Sequence, residues 1–140
     1  GKMSIENFSK TVEMDDNSKV FSGRVDVTMM FKDRSGSSLT GAKVRFHPNA
    51  RSAWHSHPKG QLLVVTEGNG LVQQWGQKAK RITAGQVVWT PPGVKHWHGA
   101  HGLKEMSHLA LQNKDSNGDN VFWMEKVSKE EYQAALENNE

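Results

Sequence analysis

An all-β fold with one C-terminal helix is what this sequence predicts, and three observations carry the prediction. Short stretches alternate apolar and polar residues, as in Val25-Asp26-Val27-Thr28-Met29 and Ala42-Lys43-Val44-Arg45-Phe46. That period lays every second side chain on one face of a strand. Glycine and proline punctuate the chain at short intervals, at Pro58-Lys59-Gly60, Gly68-Asn69-Gly70, Gly76 and Pro91-Pro92-Gly93, the spacing of a sandwich or barrel of short strands. Only Ser128-Lys129-Glu130-Glu131 reads as a helix start. It is a capping box, in which the serine side chain and the glutamate three residues on each satisfy the other's backbone N–H.

The elements follow in order. Residues 1–20 are polar and mixed in charge, so an N-terminal arm or one edge strand is expected there. Val25 to Phe31 is the first clear strand, and residues 32–40 form a polar surface loop. In Ala42 to His47, Ala42, Val44 and Phe46 point one way, while Lys43, Arg45 and His47 point to water. Gln61 opens the apolar run Leu62-Leu63-Val64-Val65, with Leu63 and Val65 facing inward and Leu62 and Val64 forming a second apolar face. Ala42, Val44, Phe46, Leu63 and Val65 are therefore the expected pocket wall. Glu67-Gly68-Asn69-Gly70 reads as a hairpin turn, with Leu71 to Trp75 as the return strand. Short strands follow at 79–82, 86–90, 105–112 and 121–124. On the 105–112 strand, Met106, His108, Ala110 and Gln112 share a face. The helix is expected over 128–137. No repeat or linker divides the chain, so 1–140 is one domain.

Composition narrows the function classes. There is no cysteine, which excludes disulfides and thiolate chemistry and suits a reducing compartment. The net charge is +3 and the pI about 9.2, without a basic run beyond Lys78-Ala79-Lys80-Arg81. No nucleic-acid partner is expected from so mild an excess. No apolar stretch approaches the ~20 residues of a membrane helix, so no membrane partner is expected. The expected compartment is the cytoplasm, with a removed leader still compatible with the sequence.

The chemistry concentrates in Trp54-His55-Ser56-His57-Pro58-Lys59-Gly60-Gln61. In an extended segment His55 and His57 project from one face and can converge on one point. A third histidine, His96, is delivered by the turn Pro91-Pro92-Gly93. Neutral imidazole is a common transition-metal ligand, and three protein ligands with open positions is the usual form of a catalytic site. His108 shares a strand face with Gln112 and is the best candidate base. Gly99 suggests that the chain turns away after His96, which sets His98 aside, with His101, as structural or exposed. Trp54, Trp89 and Trp97 flank these residues and read as packing aromatics.

These residues resemble the two signature motifs of the cupin superfamily. The first runs through Asn49, His55-Ser56-His57, Gln61 and Gly68, and the second through Gly85, Pro91-Pro92-Gly93, His96 and Ala100. The spacing agrees throughout, with Asn49 in place of Gly, Gln61 in place of Glu and Ala100 in place of Asn. Asn tolerates left-handed backbone, so the first departure is mild. The resemblance implies a small antiparallel jelly-roll barrel. From about Gly41 to Tyr132 the chain is similar more narrowly to the bacterial manganese-dependent hydroxynitrile lyases of the cupin class. Trp54-His55, Lys95-His96-Trp97-His98-Gly99-Ala100 and His108-Leu109-Ala110-Leu111-Gln112 are among the segments that carry this similarity. It implies His55, His57, His96 and Gln61 as metal ligands and His108, supported by Gln112, as the base. It also implies a homodimer.

Four neutral ligands would leave a divalent ion its full charge, which favours Lewis-acid work. Ligand type alone is compatible with zinc, iron or nickel, and manganese enters through the resemblance. The leading reading is a lyase that cleaves cyanohydrins, a small-molecule substrate class. The alternatives are another metal-dependent cupin enzyme, such as a dioxygenase or a small-acid or sugar isomerase, and a non-enzymatic cupin that binds a metal or small anion.

Overall fold

In the computed structural model, which describes residues 1–140, the alternating segments become strands. In chain order they are β1 (Val12–Met14), β2 (Phe21–Ser22), β3 (Val25–Phe31), β4 (Leu39–Phe46), β5 (Arg51–Ser52) and β6 (His55–Ser56). Then come β7 (Gln61–Gln74), β8 (Lys80–Thr83), β9 (Val87–Thr90), β10 (His96–Ala100), β11 (Met106–Asn113) and β12 (Phe122–Trp123). The single helix, α1 (Lys129–Glu137), starts at the capping box, with Ser128 as N-cap. All pairings are antiparallel, and the strands form a nearly closed barrel of two packed sheets. One sheet runs β1-β3-β4-β11-β7-β9. The other joins β8, β7 and β10 to β5-β2 and to β6-β12.

The strand β7 belongs to both sheets, which corrects the expected hairpin at residues 67–70. Its first half pairs with β11 and β9, and its second half with β8 and β10. Gly68, at φ +75°, and Gly70 turn the corner without reversing the chain. A Cβ on Gly68 would overlap the Glu105 carbonyl, and one on Gly70 would lie 2.6 Å from the Gly99 carbonyl. Glycine at a barrel corner meets this need for close backbone approach.

Two apolar clusters hold the barrel. Phe21, Val25, Ala42, Val44, Phe46, Val65 and Met106 fill the space between the sheets. Trp54, Leu71, Trp97, Val127, Tyr132 and Ala135 seat α1 against the outside of the second sheet. Burial of each large side chain contributes roughly 1.5–3 kcal/mol. Trp54 and Trp97 are packing residues as expected, but Trp89 is 58% exposed on the outer face of β9. It stands opposite Leu62 in the register, on the face of the sheet that nothing covers. His47 also departs from expectation. It is not a free strand residue, because its Nε2 donates a half-buried hydrogen bond of 2.8 Å to Asp26 Oδ2.

Candidate metal centre and active site

The loop and strands around Pro58-Lys59-Gly60 and Pro91-Pro92-Gly93 bring the histidines together. β6 pairs with β10 so that His55 stands opposite His96, with ring centroids 4.2 Å apart. The His57 ring lies 5.0 Å from His55 and 5.4 Å from His96. Lys95 pins the segment before His96 by an ion pair of 2.8 Å to Glu125 and by lying 3.6 Å over the Trp75 ring. Asn49 takes a left-handed φ of +64°, as its place in the first motif anticipated.

The tautomers of these rings follow from their partners. Nδ1 of His55 donates to the Ala53 carbonyl at 2.9 Å, Nδ1 of His57 to the Asn120 carbonyl at 2.7 Å, and Nδ1 of His96 to the Val94 carbonyl at 3.0 Å. A carbonyl only accepts, so in each neutral ring the proton sits on Nδ1 and the Nε2 lone pair is free. Burial is the main reason all three resist protonation. His55 is pushed well below its ordinary value, by burial and then by His96 and His57, and His96 falls to about 4. His57 is lowered as well, again by burial. Nε2 of His57 and of His96 and Oε1 of Gln61 are buried without any partner in the chain. Buried polar atoms are normally satisfied, and these three inward lone pairs are donors that could serve a cation. Carbonyl partners that fix the outer nitrogen of each ring are what metal sites use to orient their ligands. The residues fit a divalent transition ion.

Distance alone groups the rings differently. One nitrogen each from His55, His96 and His98 lie within 4.8 Å of one another, a group that could hold a metal. The two sets share His55 and His96. His98 differs from the other rings because its Nδ1 faces not a carbonyl but Nε2 of His108, at 3.0 Å. His98 is only 5% exposed on β10, so of the two expected readings, structural or exposed, the exposed one does not hold, and the chain does not turn away after His96. The sequence signal was the two-residue period His96, His98, Ala100 on β10, all facing inward.

His108 is fully buried, and burial lowers it to about 4. It is therefore neutral at ordinary pH and competent to accept a proton. Its partner is His98 and not Gln112. The Gln112 amide is committed elsewhere, with Oε1 accepting from Gln61 Nε2 at 3.0 Å and Nε2 donating to Thr40 Oγ1 at 2.8 Å. Gln112 therefore supports Gln61 and does not orient the His108 ring.

A cavity of about 240 Å³ opens over His55, His57, Gln61, His98 and His108. Ala42, Val44 and Phe46 line it as expected, joined by Phe21, Met29, Val121 and Trp123. Leu63 and Val65 face inward and are fully buried, but they do not line it. Each stands beside a β11 residue that faces inward, Ala110 and His108 respectively. Trp123 lies with its ring centroid 4.7 Å from that of His55 and forms the outer wall.

The comparisons agree with this geometry. Residues 42–111, half of the chain, match the cupin domain model. The chain is 46% identical over 112 residues to an (R)-mandelonitrile lyase from Granulicella tundricola, covering 80% of this chain and 85% of that protein. A cupin-like protein from Thermotoga maritima superposes with a TM-score of 0.84 at 35% identity, over 96% of this chain and 100% of that one. A predicted oxalate decarboxylase of the same organism shares only the fold, with a TM-score of 0.61 at 17% identity over 81% of this chain and 92% of the other. A family model spanning half the chain and a 46% identical relative spanning most of it leave one assignment, that this chain belongs to the cupin family.

Proposed function

We propose that this cupin is a metal-dependent lyase that splits aromatic cyanohydrins into a carbonyl compound and hydrogen cyanide. The observation that carries the reading is the cavity that apolar Phe21, Val44, Phe46 and Trp123 line together with the buried histidines His55, His57, His98 and His108 and the amide of Gln61. Its 240 Å³ suits a substrate with a single aromatic ring packed against Phe21, Phe46 and Trp123. The 46% identical mandelonitrile lyase supports the same substrate class.

His55, His57, His96 and Gln61 would hold the metal, with manganese favoured by the resemblance to the hydroxynitrile lyases. When bound, the ion supplies positive charge to a substrate oxygen or to the departing cyanide. The chain's own residues do the rest. Neutral His108 takes the hydroxyl proton of the substrate. The carbon–cyanide bond then breaks with its electron pair going to cyanide, and the oxygen keeps its electrons to form the carbonyl. The proton passes from the His98–His108 pair to cyanide, which leaves as hydrogen cyanide. The apolar wall excludes water and favours release of an uncharged carbonyl product.

We also propose that the protein works as a homodimer. Leu62, Val64, Val87, Trp89, Leu109 and Leu111 form an apolar block on the outer face of β9, β7 and β11, with Leu62 opposite both Trp89 and Leu111. A second copy of the same face would cover it.

The catalytic reading is tested by stripping the metal and reloading with manganese, iron or zinc separately, then following aldehyde release from mandelonitrile. Release that requires metal is expected. Absence of release from a protein shown to hold its metal would overturn the reading.

A further inference from the structure

We infer that the Thr40 hydroxyl decides which atom of Gln61 faces the metal, through a chain of hydrogen bonds with only one permitted direction. The inference rests on the metal-site reading above. Thr40 is a buried residue of β4 and reaches none of the histidine rings by a hydrogen bond. Its Oγ1 lies 2.8 Å from the backbone carbonyl of Gln112. A carbonyl can only accept, so the one hydroxyl proton of Thr40 is committed there. Toward its other neighbours Oγ1 can then only accept. It does so from Gln112 Nε2 at 2.8 Å and from Asn120 Nδ2 at 3.1 Å.

The direction propagates. With Nε2 of Gln112 turned to Thr40, its Oε1 must face Gln61, where it accepts from Gln61 Nε2 at 3.0 Å. That leaves Gln61 Oε1 as the free end, buried and without a partner. An amide oxygen donates a lone pair to a cation, whereas an amide NH₂ presents positive hydrogens and repels it. If either amide were reversed, the site would lose a ligand and gain a repulsion. Asn120 acts twice, since its side chain donates to Thr40 while its backbone carbonyl accepts from His57 Nδ1. One hydroxyl on β4 therefore ties together the orientation of two donors held on other parts of the fold. Thr40 and Asn120 are positioning residues.

The test compares wild type with Thr40→Val, Thr40→Ser and Gln112→Met. Manganese affinity is measured by competition with a chelator, and the Gln61 side-chain amide protons are followed by NMR in the metal-free protein. Thr40→Val removes the hydroxyl at similar volume, and Gln112→Met cuts the chain at its middle link. Each should weaken manganese binding roughly ten- to hundredfold, the usual cost of losing an outer partner of a ligand. Thr40→Ser should restore affinity to within about threefold of wild type, which a loss of packing alone would not explain. In metal-free wild type one Gln61 amide proton should be shifted and slowed in exchange by its bond to Gln112, and Thr40→Val should abolish that signature. Wild-type affinity in both Thr40→Val and Gln112→Met would overturn the inference, as would a Gln61 amide free of any bond in metal-free wild type. If wild type binds no manganese, the metal-site reading fails, and the NMR signature still decides the hydrogen-bond direction separately. If Thr40→Val does not fold, Gln112→Met and the wild-type signature carry the test.

Discussion

Nδ1 of His98 lies 3.0 Å from Nε2 of His108, and both rings are buried. Phe46 packs on the pair, its ring centroid 5.8 Å from His98 and 5.5 Å from His108. Burial, followed for His98 by the neighbouring His108, keeps both rings neutral. Two neutral imidazoles joined by one hydrogen bond share one proton between facing nitrogens, and the outer nitrogen of each ring, His98 Nε2 and His108 Nδ1, has no partner in the chain. Each neutral ring carries one N–H, so only the ring that donates this bond keeps a free lone pair on its outer nitrogen, and His108 can accept a proton at Nδ1 when its Nε2 donates to His98. In the proposed lyase reaction, with His108 as base, His98 would be a positioning residue that fixes the His108 tautomer.

Replacing His108 with Ala should therefore cut turnover of mandelonitrile by roughly 10²–10⁴-fold, the usual contribution of a general base. Metal content should stay near wild type. His98→Ala should lower turnover too, because the His108 tautomer is no longer fixed, and it should also leave the metal in place. Metal analysis of both purified variants separates the two histidine groupings. Loss of metal from His98→Ala would move His98 into the ligand set in place of His57.

Acid should destabilise the metal-free protein in a defined window. His96 and His108 are both held down to about 4 in the fold, and free histidine titrates near 6.5. Between those values the unfolded chain binds more protons than the folded one, so stability falls as pH falls. It is fully present above about 6.5 and is lost progressively down to about 4. A shift from 6.5 to about 4 corresponds to on the order of 3 kcal/mol for each imidazole. Thermal melts of chelator-treated protein between pH 7 and 4.5 should show a falling Tm. The fall should be shallower in a His96→Gln, His108→Gln double variant, and a level Tm in the wild-type protein would contradict the burial argument.

Local spacing made most of the candidate metal site legible. His55, His57 and Gln61 lie on one short segment, and the Pro-Pro-Gly turn marks where His96 returns. The alternation of β3, β4 and β11 predicted which faces turn inward. What escaped depends on pairing across the barrel. Gly99 has the look of a turn residue in the sequence, yet β10 runs on through it, and glycine is needed there because a Cβ would lie 2.6 Å from the Ala50 carbonyl. Only glycine lets β5 and β10 come so close, and the strand therefore carries His98 inward. The partner of Gln112 is Thr40, directly opposite it in the β4–β11 register, a relationship across 72 residues that periodicity cannot express. Glu67 to Gly70 has the composition of a hairpin turn, and nothing local distinguishes a chain reversal from a strand that changes sheets.

The outer face of β7, β9 and β11 gives a prediction for assembly. Trp89 and Val87 are 58% and 65% exposed, next to half-buried Leu62 and Val64. Exposed apolar blocks of this kind mark association surfaces. Trp89→Glu would place a charge at the edge of the block without touching the cavity, because Trp89 points outward. Light scattering should give a dimer mass for wild type and a monomer mass for Trp89→Glu. A wild-type monomer at micromolar concentration would remove the homodimer from the functional reading.

The corner at Gly68 should tolerate neither strain nor bulk. Its φ of +75° costs a non-glycine residue about 1–3 kcal/mol. The Glu105 carbonyl also occupies the place of a Cβ, and backbone on both sides prevents an inexpensive adjustment. Gly85 has a similar φ of +92° but open space around it. Asparagine accepts left-handed backbone better than alanine does, so the two positions separate the two causes. Gly85→Asn should change the Tm little. Gly68→Asn should destabilise nearly as much as Gly68→Ala, by upwards of about 2 kcal/mol, because the clash remains when the strain is relieved. Equal, small effects at both sites would mean that β7 can open away from Glu105. In that case the corner would not be what keeps the two halves of this strand, one opening at Gln61 and the other pairing with the His96 strand, in fixed relation.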